Sequence, residues 1–355
     1  MTVRHNLEPF TDQLMTTPQG ALPPSAMLMQ LITGQCVAQC ISAAAHLGLA
    51  DHMKGGPQAS EELARLCGAH ARSMYRVCRA LANAGVFEEH NGKRFSLTRM
   101  GECLRTDLPG SLAGMAKMFG EGWHSAAWAE LLHSVRTGEP GFPKAYGEGV
   151  FEWLGTHREE AEIFNDAMTS FSSTTAVAVV EAYDFSSFTR IADIGGGHGL
   201  FLASILKANP KVHGVLFDLP RVVEGATDLL AKNGVERRCE VVGGDFFTTV
   251  PEGCDAYVMK HIIHDWSDEA CTTLLRLCAE GLAPDGRILV VEQVIPPHGV
   301  PSLAKLIDVE MLVMTQGGYE RTEAEFAELF GRAGLRLARV VPTESPVGVL
   351  EAVRA

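Results

Sequence analysis

The chain has 355 residues, 46% hydrophobic and 21% charged, with a formal net charge of −13 at neutral pH. At about 100–200 residues per domain this length calls for two or more units, and the apolar share is ample for buried cores. The negative charge disfavours nucleic acid and anionic membrane as partners and tolerates a cationic small molecule. No apolar run reaches the roughly 18 residues of a spanning helix, and Met1 to Gly20 lacks the basic start and apolar centre of a leader, so a cytoplasmic protein is expected. Nine cysteines without a Cys-x-x-Cys pair argue against a disulfide framework and a zinc knuckle, and most are expected to be small buried hydrophobes.

From Pro24 to Leu49 the pattern is helical and apolar on more than one face, which a lone helix cannot hide. Ser60-Glu61-Glu62 reads as a helix start with an N-cap and acids in its first turn, and a second helix runs from about Arg72 to Ala84, stopping at Gly85. "VFEEHNGKRFSLT" then gives two short strands around Asn91-Gly92, the clearest hairpin signal in the chain. Helix, helix, hairpin is a winged-helix order, and Arg65, Arg72, Arg76, Arg79, Lys93 and Arg94 raise a DNA-binding regulator as an alternative. Arg72, Arg76 and Arg79 alternate with Tyr75, Val77 and Leu81 at helical spacing, which reads instead as the solvated face of a core helix.

After Pro109 the chain is rich in glycine and aromatics, with Trp123, Trp128, Phe142, Tyr146, Phe151 and Trp153 leading to a long helix from about Arg158. From Arg190 short apolar strands alternate with helices: "RIADIG", "HGVLFDL", "CEVVGGDF", "AYVMKHII" and "RILVVEQV", then "RLARVVPT" and "VGVLEAVR" as a hairpin. The expected architecture is α/β, a mostly parallel, Rossmann-like seven-stranded sheet closed by an antiparallel hairpin, with a ligand above the carboxyl ends of the strands. The expected division is 1–108 helical and winged-helix, 109–180 linking helices, and 181–355 ligand-binding.

"IADIGGGHGL" puts three consecutive glycines behind the first of these strands. A nicotinamide dinucleotide fingerprint needs Gly-x-Gly-x-x-Gly, whereas Gly195, Gly197 and Gly199 give Gly-x-Gly-x-Gly with Leu200 where the last glycine should fall. Asp193 is a poor neighbour for a pyrophosphate and a good one for a cationic amino acid, which points to S-adenosylmethionine. Asp218, ending the second strand, suits the two ribose hydroxyls; Asp245 and Phe246, ending the third, suit the adenine amine and face. Behind the fourth strand, His261 and His264 stand three apart, with no carboxylate or cysteine at metal-ligand spacing, so no metal is expected.

Together "DIGGGHG", "FDLP", "GGDFF", "HIIHDWSDE", "VVEQVI" and "GGYERTEAEF" resemble the plant-type, class II small-molecule O-methyltransferases, a family that includes caffeate methyltransferases and bacterial polyketide-tailoring enzymes. The resemblance covers nearly the whole chain. It implies a methyltransferase domain beside a winged-helix dimerisation domain, a homodimer, and a bacterial natural-product enzyme that methylates a phenolic or fused-aromatic hydroxyl. It makes His264 the general base and Glu292 and Glu320 the acids that orient it. It brings Leu219, Lys260 and Trp266 into the cofactor set, with Ser172 toward the cofactor carboxylate. Phe164, Met168, Phe171, Met311, Thr315, Trp123 and Asp265 form the candidate acceptor pocket. Plant members often carry His where Phe171 stands and Asn where Thr315 stands, so a larger or more apolar acceptor is expected. The alternative is an N-methyltransferase or a non-methylating homologue; His264 argues against it, because a neutral amine needs no base.

Overall fold

The computed structural model describes residues 22–355, apart from the side chains of Ser173 and Thr174. The reading of Met1 to Gly20 lies outside the described residues. The chain divides into Met1–Gly101 and Glu102–Ala355. The expected boundary was at 108, but Leu112 donates its backbone N–H to the Cys103 carbonyl, and the 109–180 helices are part of the larger unit.

In the smaller unit the apolar N-terminal stretch is three helices, α1 (Pro24–Ile32), α2 (Gly34–His46) and α3 (Leu49–Met53). No single described helix is long and apolar enough to cross a membrane, although α1 and α2, bent by 42°, pass that test as a pair. Met27, Leu28, Met29, Leu31 and Ile32 are all exposed. Helix α4 (Ser60–Leu66) begins at Ser60 itself rather than after it, because Ser60 donates its N–H to the Lys93 carbonyl and continues strand β1 (Gln58–Ala59). In α5 (Ala71–Asn83) Met74, Cys78 and Leu81 are buried while Arg72, Arg76 and Arg79 are exposed, as a solvated basic face requires. The hairpin of β2 (Phe87–His90) and β3 (Arg94–Leu97) turns through Gly92 and Lys93, both with positive φ, and β1 completes a sheet of order β1-β3-β2.

The larger unit is built on β4 (Arg190–Ile194), β5 (His213–Asp218), β6 (Cys239–Gly243), β7 (Cys254–Lys260), β8 (Leu282–Ile295), β10 (Leu335–Pro342) and β11 (Val347–Arg354), in the order β10-β11-β8-β7-β4-β5-β6. Pairing is parallel from β8 to β6 and antiparallel for β10 and β11. The expected seven strands gain an eighth, β9 (Arg321–Thr322), because the "ERT" segment runs beside Val294 and Ile295 of β8. Burial alternates with the pleat: Ile191, Leu216, Val258 and Val291 join one apolar cluster, and Ala192, Val215, Tyr257 and Val290 the other. The Arg158–Ala182 and Leu200–Ala208 helices close the first face, the Asp268–Gly281 and Glu323–Arg332 helices the second. The chain after β4 thus crosses one face and the chain after β7 the other, which opens a crevice between the ends of these two neighbours.

Two smaller expectations change. The strand read as "AYVMKHII" ends at Lys260, because His261 turns into the left-handed region at φ 56°. Of the nine free cysteines, Cys78, Cys254, Cys271 and Cys278 are buried, whereas Cys36 and Cys103 are exposed, so burial is the rule only inside the cores.

Candidate active site

The glycine turn after β4 is shaped by contacts only glycine permits. Gly195 has φ 68°, and a Cβ there would collide with the Ile262 side chain from the turn after β7; Gly197 has φ 58° and donates its N–H to Asp218 Oδ2 at 2.8 Å. Leu219 donates its N–H to the other oxygen, Asp218 Oδ1, at 2.6 Å. Asp218 therefore pins the glycine turn to the end of β5 while keeping lone pairs free. Burial raises its pKa, with the two backbone N–H groups opposing.

Asp193 is fully buried with Oδ2 unpartnered among the described residues. Burial pushes its pKa up to about 7, the Lys260 charge pulling back and Asp218 adding to the rise. Lys260, ending β7, donates to Ser172 Oγ at 2.7 Å. Burial pulls its ammonium down to about 8 against the pull of Asp193 and Glu292. Of the residues expected near the cofactor's amino-acid end, Ser172 is hydrogen-bonded to Lys260, and Asp193 feels the same ammonium only through its charge. An orphaned buried carboxylate, a backbone cradle and a second carboxylate with free lone pairs fit S-adenosylmethionine, whose ammonium and hydroxyls are donors.

Trp266 gathers aromatics: the Phe151 ring stacks 5.7 Å away, and Phe246 and Phe247 meet it edge-on at 6.1 and 4.7 Å. Phe151 and Phe247 were not among the expected site residues. Asp245 is exposed, and its Oδ1 accepts the Phe247 N–H at 2.9 Å, a local turn contact.

The turn after β7 holds the imidazole of His264. Its Nδ1 lies 2.7 Å from Glu320 Oε1 and 3.6 Å from Glu292 Oε2, and its Nε2 lies 3.7 Å from Asp265 Oδ1. Glu292 Oε1 accepts backbone N–H bonds from Ile262 (3.0 Å), Ile263 (3.0 Å) and His264 (3.4 Å). Burial opposes the charge on His264, but Glu292, then Asp265 and Glu320, outweigh it and push its pKa up to about 10. Burial likewise acts against the Glu292 charge, yet His264, His261 and the amides hold it well below the carboxylate range. Burial raises Glu320, with His264 opposing, and burial raises Asp265 to about 7 against the same imidazole.

Sequence reasoning missed Arg321, the side chain that clamps this turn. Fully buried, it donates to the carbonyls of Ile263 and Trp266, both at 3.0 Å, and to Asp268 Oδ1 at 2.9 Å. The one available signal was its place directly after Glu320. His261, His264 and Glu292 also bring one potential ligand atom each within 4.8 Å, so a carboxylate does stand beside the two histidines, supplied by β8 rather than by sequence spacing. His264 Nδ1 and Glu292 Oε1 are already engaged by Glu320 and by the amides, which makes this a hydrogen-bonded network first.

The expected acceptor residues fall into two groups. Trp123, Phe164 and Met168 share one largely aromatic cluster, together with Phe142, which was not among the expected residues; Trp123 is core there, and its Nε1 is unpartnered among the described residues. Phe171 lies apart, 5.2 Å from the His261 ring. Met311 is buried on the Ala304–Met314 helix, and the hydroxyl of Thr315 is spent on the Met311 carbonyl at 2.8 Å. That helix is further held by Glu310, which accepts from Trp128 Nε1 at 2.6 Å and meets His124 Nε2 at 2.8 Å, and by Asp308, whose Oδ1 accepts the Glu320 N–H at 3.0 Å.

Comparison with known proteins matches this architecture. Residues 128–336 fit an O-methyltransferase domain and residues 29–107 an O-methyltransferase dimerisation domain. The chain is 42% identical to the phenazine O-methyltransferase PhzM of Lysobacter antibioticus, across 94% of this chain and 97% of that protein. It is 38% identical to the 8-amino-8-demethylriboflavin N,N-dimethyltransferase of Streptomyces davaonensis, across 89% and 91%. It superposes with a TM-score of 0.75 and 32% identity, over 90% of this chain and 96% of the other, on the neocarzinostatin-biosynthesis O-methyltransferase NcsB1 solved with S-adenosylmethionine and 2-hydroxy-5-methyl naphthoic acid. With a glycine cradle and buried acids that suit S-adenosylmethionine, and with both domain patterns in place, the chain belongs to the plant-type O-methyltransferase family and is an S-adenosylmethionine-dependent O-methyltransferase.

Proposed function

We propose that the protein methylates a phenolic or fused-aromatic hydroxyl of a secondary metabolite, with His264 as general base and Glu320 and Glu292 orienting it. The observation that carries this reading is the 2.7 Å contact from His264 Nδ1 to Glu320 Oε1, which fixes that proton and leaves Nε2 as the basic atom. Of the relatives named above, one is a phenazine O-methyltransferase and another is solved in complex with a naphthoic acid, both fused aromatics of the expected class.

The bound cofactor supplies a methyl group on a sulfonium, an excellent leaving group. The protein's task is to hold the acceptor oxygen in line and to take up one proton. A phenol ionises near pH 10. The raised proton affinity of His264 matches that value, so proton transfer from phenol to imidazole is close to balanced. Neutral imidazole with phenol and imidazolium with phenolate hold the same number of protons, and the surrounding carboxylates favour the second arrangement. A further cation in the crevice, such as a sulfonium, lowers that proton affinity: it enlarges the neutral, proton-accepting fraction of His264 while making the imidazole a weaker base. Asp193, Lys260 and Ser172 would hold the amino-acid end of the cofactor, Asp218 and Leu219 the ribose, and Phe246 and Trp266 the adenine side. Phe171, Met168, Phe164, Met311 and Asp265 would line the acceptor.

An amine acceptor is the second reading, supported by the 38% identity to an N,N-dimethyltransferase. Incubation with labelled S-adenosylmethionine and a panel of aromatic hydroxyl and amino compounds separates the two. Label in aryl methyl ethers supports the hydroxyl, and label in methylamines alone refutes it. We also place the exposed apolar side chains of α1 in a homodimer interface, for which a monomeric mass by light scattering at micromolar concentration is the refuting result.

A further inference from the structure

His261 takes part in none of these roles, yet it is the most unusual residue near them. It leaves β7 with φ 56°, a conformation that a residue with a side chain holds only where its surroundings impose it. Its side chain is 9% exposed, and its ring lies 5.2 Å from that of Phe171 and 5.3 Å from that of His264. Neither ring nitrogen completes a hydrogen bond among the described residues; the nearest charge is Glu292 Oε2, 3.4 Å from Nδ1. Burial, then the Lys260 charge, hold its pKa down to about 4 against Glu292, so the ring is neutral. A neutral imidazole carries one N–H, and an anionic carboxylate facing Nδ1 draws it there. Nε2 is then a buried acceptor with no donor among the described residues, which folded proteins rarely leave unanswered.

We propose that His261 Nε2 accepts a hydrogen bond from a second donor on the acceptor molecule, a hydroxyl, amine or ring N–H next to the hydroxyl that is methylated. The preferred substrates are then ortho- or peri-dihydroxy and amino-hydroxy aromatics. Two imidazoles side by side address neighbouring substituents of one ring system: His264 takes the proton of one, and His261 receives the hydrogen bond of the other. This deepens the hydroxyl-methylating reading and rests on it for the position of the reacting oxygen.

The test is a cycle over protein and substrate. kcat/KM is measured for wild type, His261→Phe and His261→Gln on 1,2-dihydroxynaphthalene and on 1-naphthol, with 2-methoxy-1-naphthol as a probe that fills the space without a donor. Where turnover is slow, calorimetric affinity in the presence of S-adenosylhomocysteine reads the same difference. Wild type is expected to prefer the dihydroxy probe over both others, and His261→Phe to lose about 10- to 100-fold more on that probe than on the other two, since only there is a hydrogen bond to the substrate removed; a loss common to all three reports the Glu292 contact instead. His261→Gln, which keeps an acceptor atom, recovers part of the preference. Equal losses on all three probes, or a wild type indifferent to the second hydroxyl, overturn the proposal; the wild-type series decides even if a variant fails to fold. Failure of the base reading looks different: His264→Ala then leaves turnover unchanged, while the preference for the second donor persists.

Discussion

The turns after β4 and after β7 face the same crevice and are built on opposite principles. The first is made of backbone: glycines at positive φ, and an amide and a carboxylate that tie it to the next strand. The second has no glycine and is held from outside, its amides by Glu292, its carbonyls by Arg321 and its imidazole by Glu320. A turn that must admit a ligand is best made small. A turn that must set the energy of one proton needs charges at fixed distance, and those come from residues 28 and 56 positions away in the chain.

If the second turn is the proton site, His264→Ala is the largest effect. Turnover on a phenolic acceptor should fall about 10²–10⁴-fold with cofactor affinity nearly intact, and part of the rate should return as pH approaches that of free phenol ionisation. Unchanged turnover at pH 7 would erase the distinction between the turns. Asp218→Ala probes the first turn: the ribose hydroxyls and the Gly197 amide lose a charged partner, and calorimetry should show cofactor affinity about ten- to a hundred-fold weaker. Glu320→Gln should give a milder form of the His264 defect, about tenfold in kcat, because an amide still meets the imidazole but does not stabilise its charge.

A pH series of cofactor binding sharpens the contrast further. Asp193 has a raised pKa of about 7, and a bound ammonium favours its ionised form, so affinity is full above that pH and falls below it by at most about tenfold per unit. Affinity independent of pH between 5 and 8 would count against Asp193 as the ammonium partner. Smallest of all, EDTA should leave turnover unchanged, since the imidazole's partners are carboxylates and amides; its abolition of activity would reassign the His261, His264 and Glu292 cluster.

How much of this was legible follows the same division. The alternation of strand and helix, the closing hairpin, the glycine turn and the carboxylate of Asp218 sit in local patterns of period and spacing, and the sequence carries them openly. Arg321 was invisible because a buried arginine is recognised by its partners, and those lie more than fifty residues upstream. Ser60 is not the N-cap because pairing of β1 with β3, a tertiary contact, leaves Ala59 in the extended capping position and makes Ser60 the first helical residue. Phe164 and Trp123 could be placed among aromatics, but whether such a ring is pocket wall or core depends on packing that no spacing encodes. His261 looked like the end of a strand, since a left-handed turn in a non-glycine residue has no composition signal.

The Ala304–Met314 helix bears on how far the acceptor pocket can be redesigned. In the proposed function it would contribute Met311 to the pocket, yet three residues earlier Asp308 holds the backbone of Glu320, and Glu310 bolts the helix to His124 and Trp128. Pocket shape and base strength therefore share one mechanical part. Enlarging the pocket by shifting this helix would drag Glu320 from His264, whereas changes at Phe164 or Met168, on the Arg158–Ala182 helix, reshape the aromatic side with the proton site left in register. A search for altered substrate range should begin on that second helix.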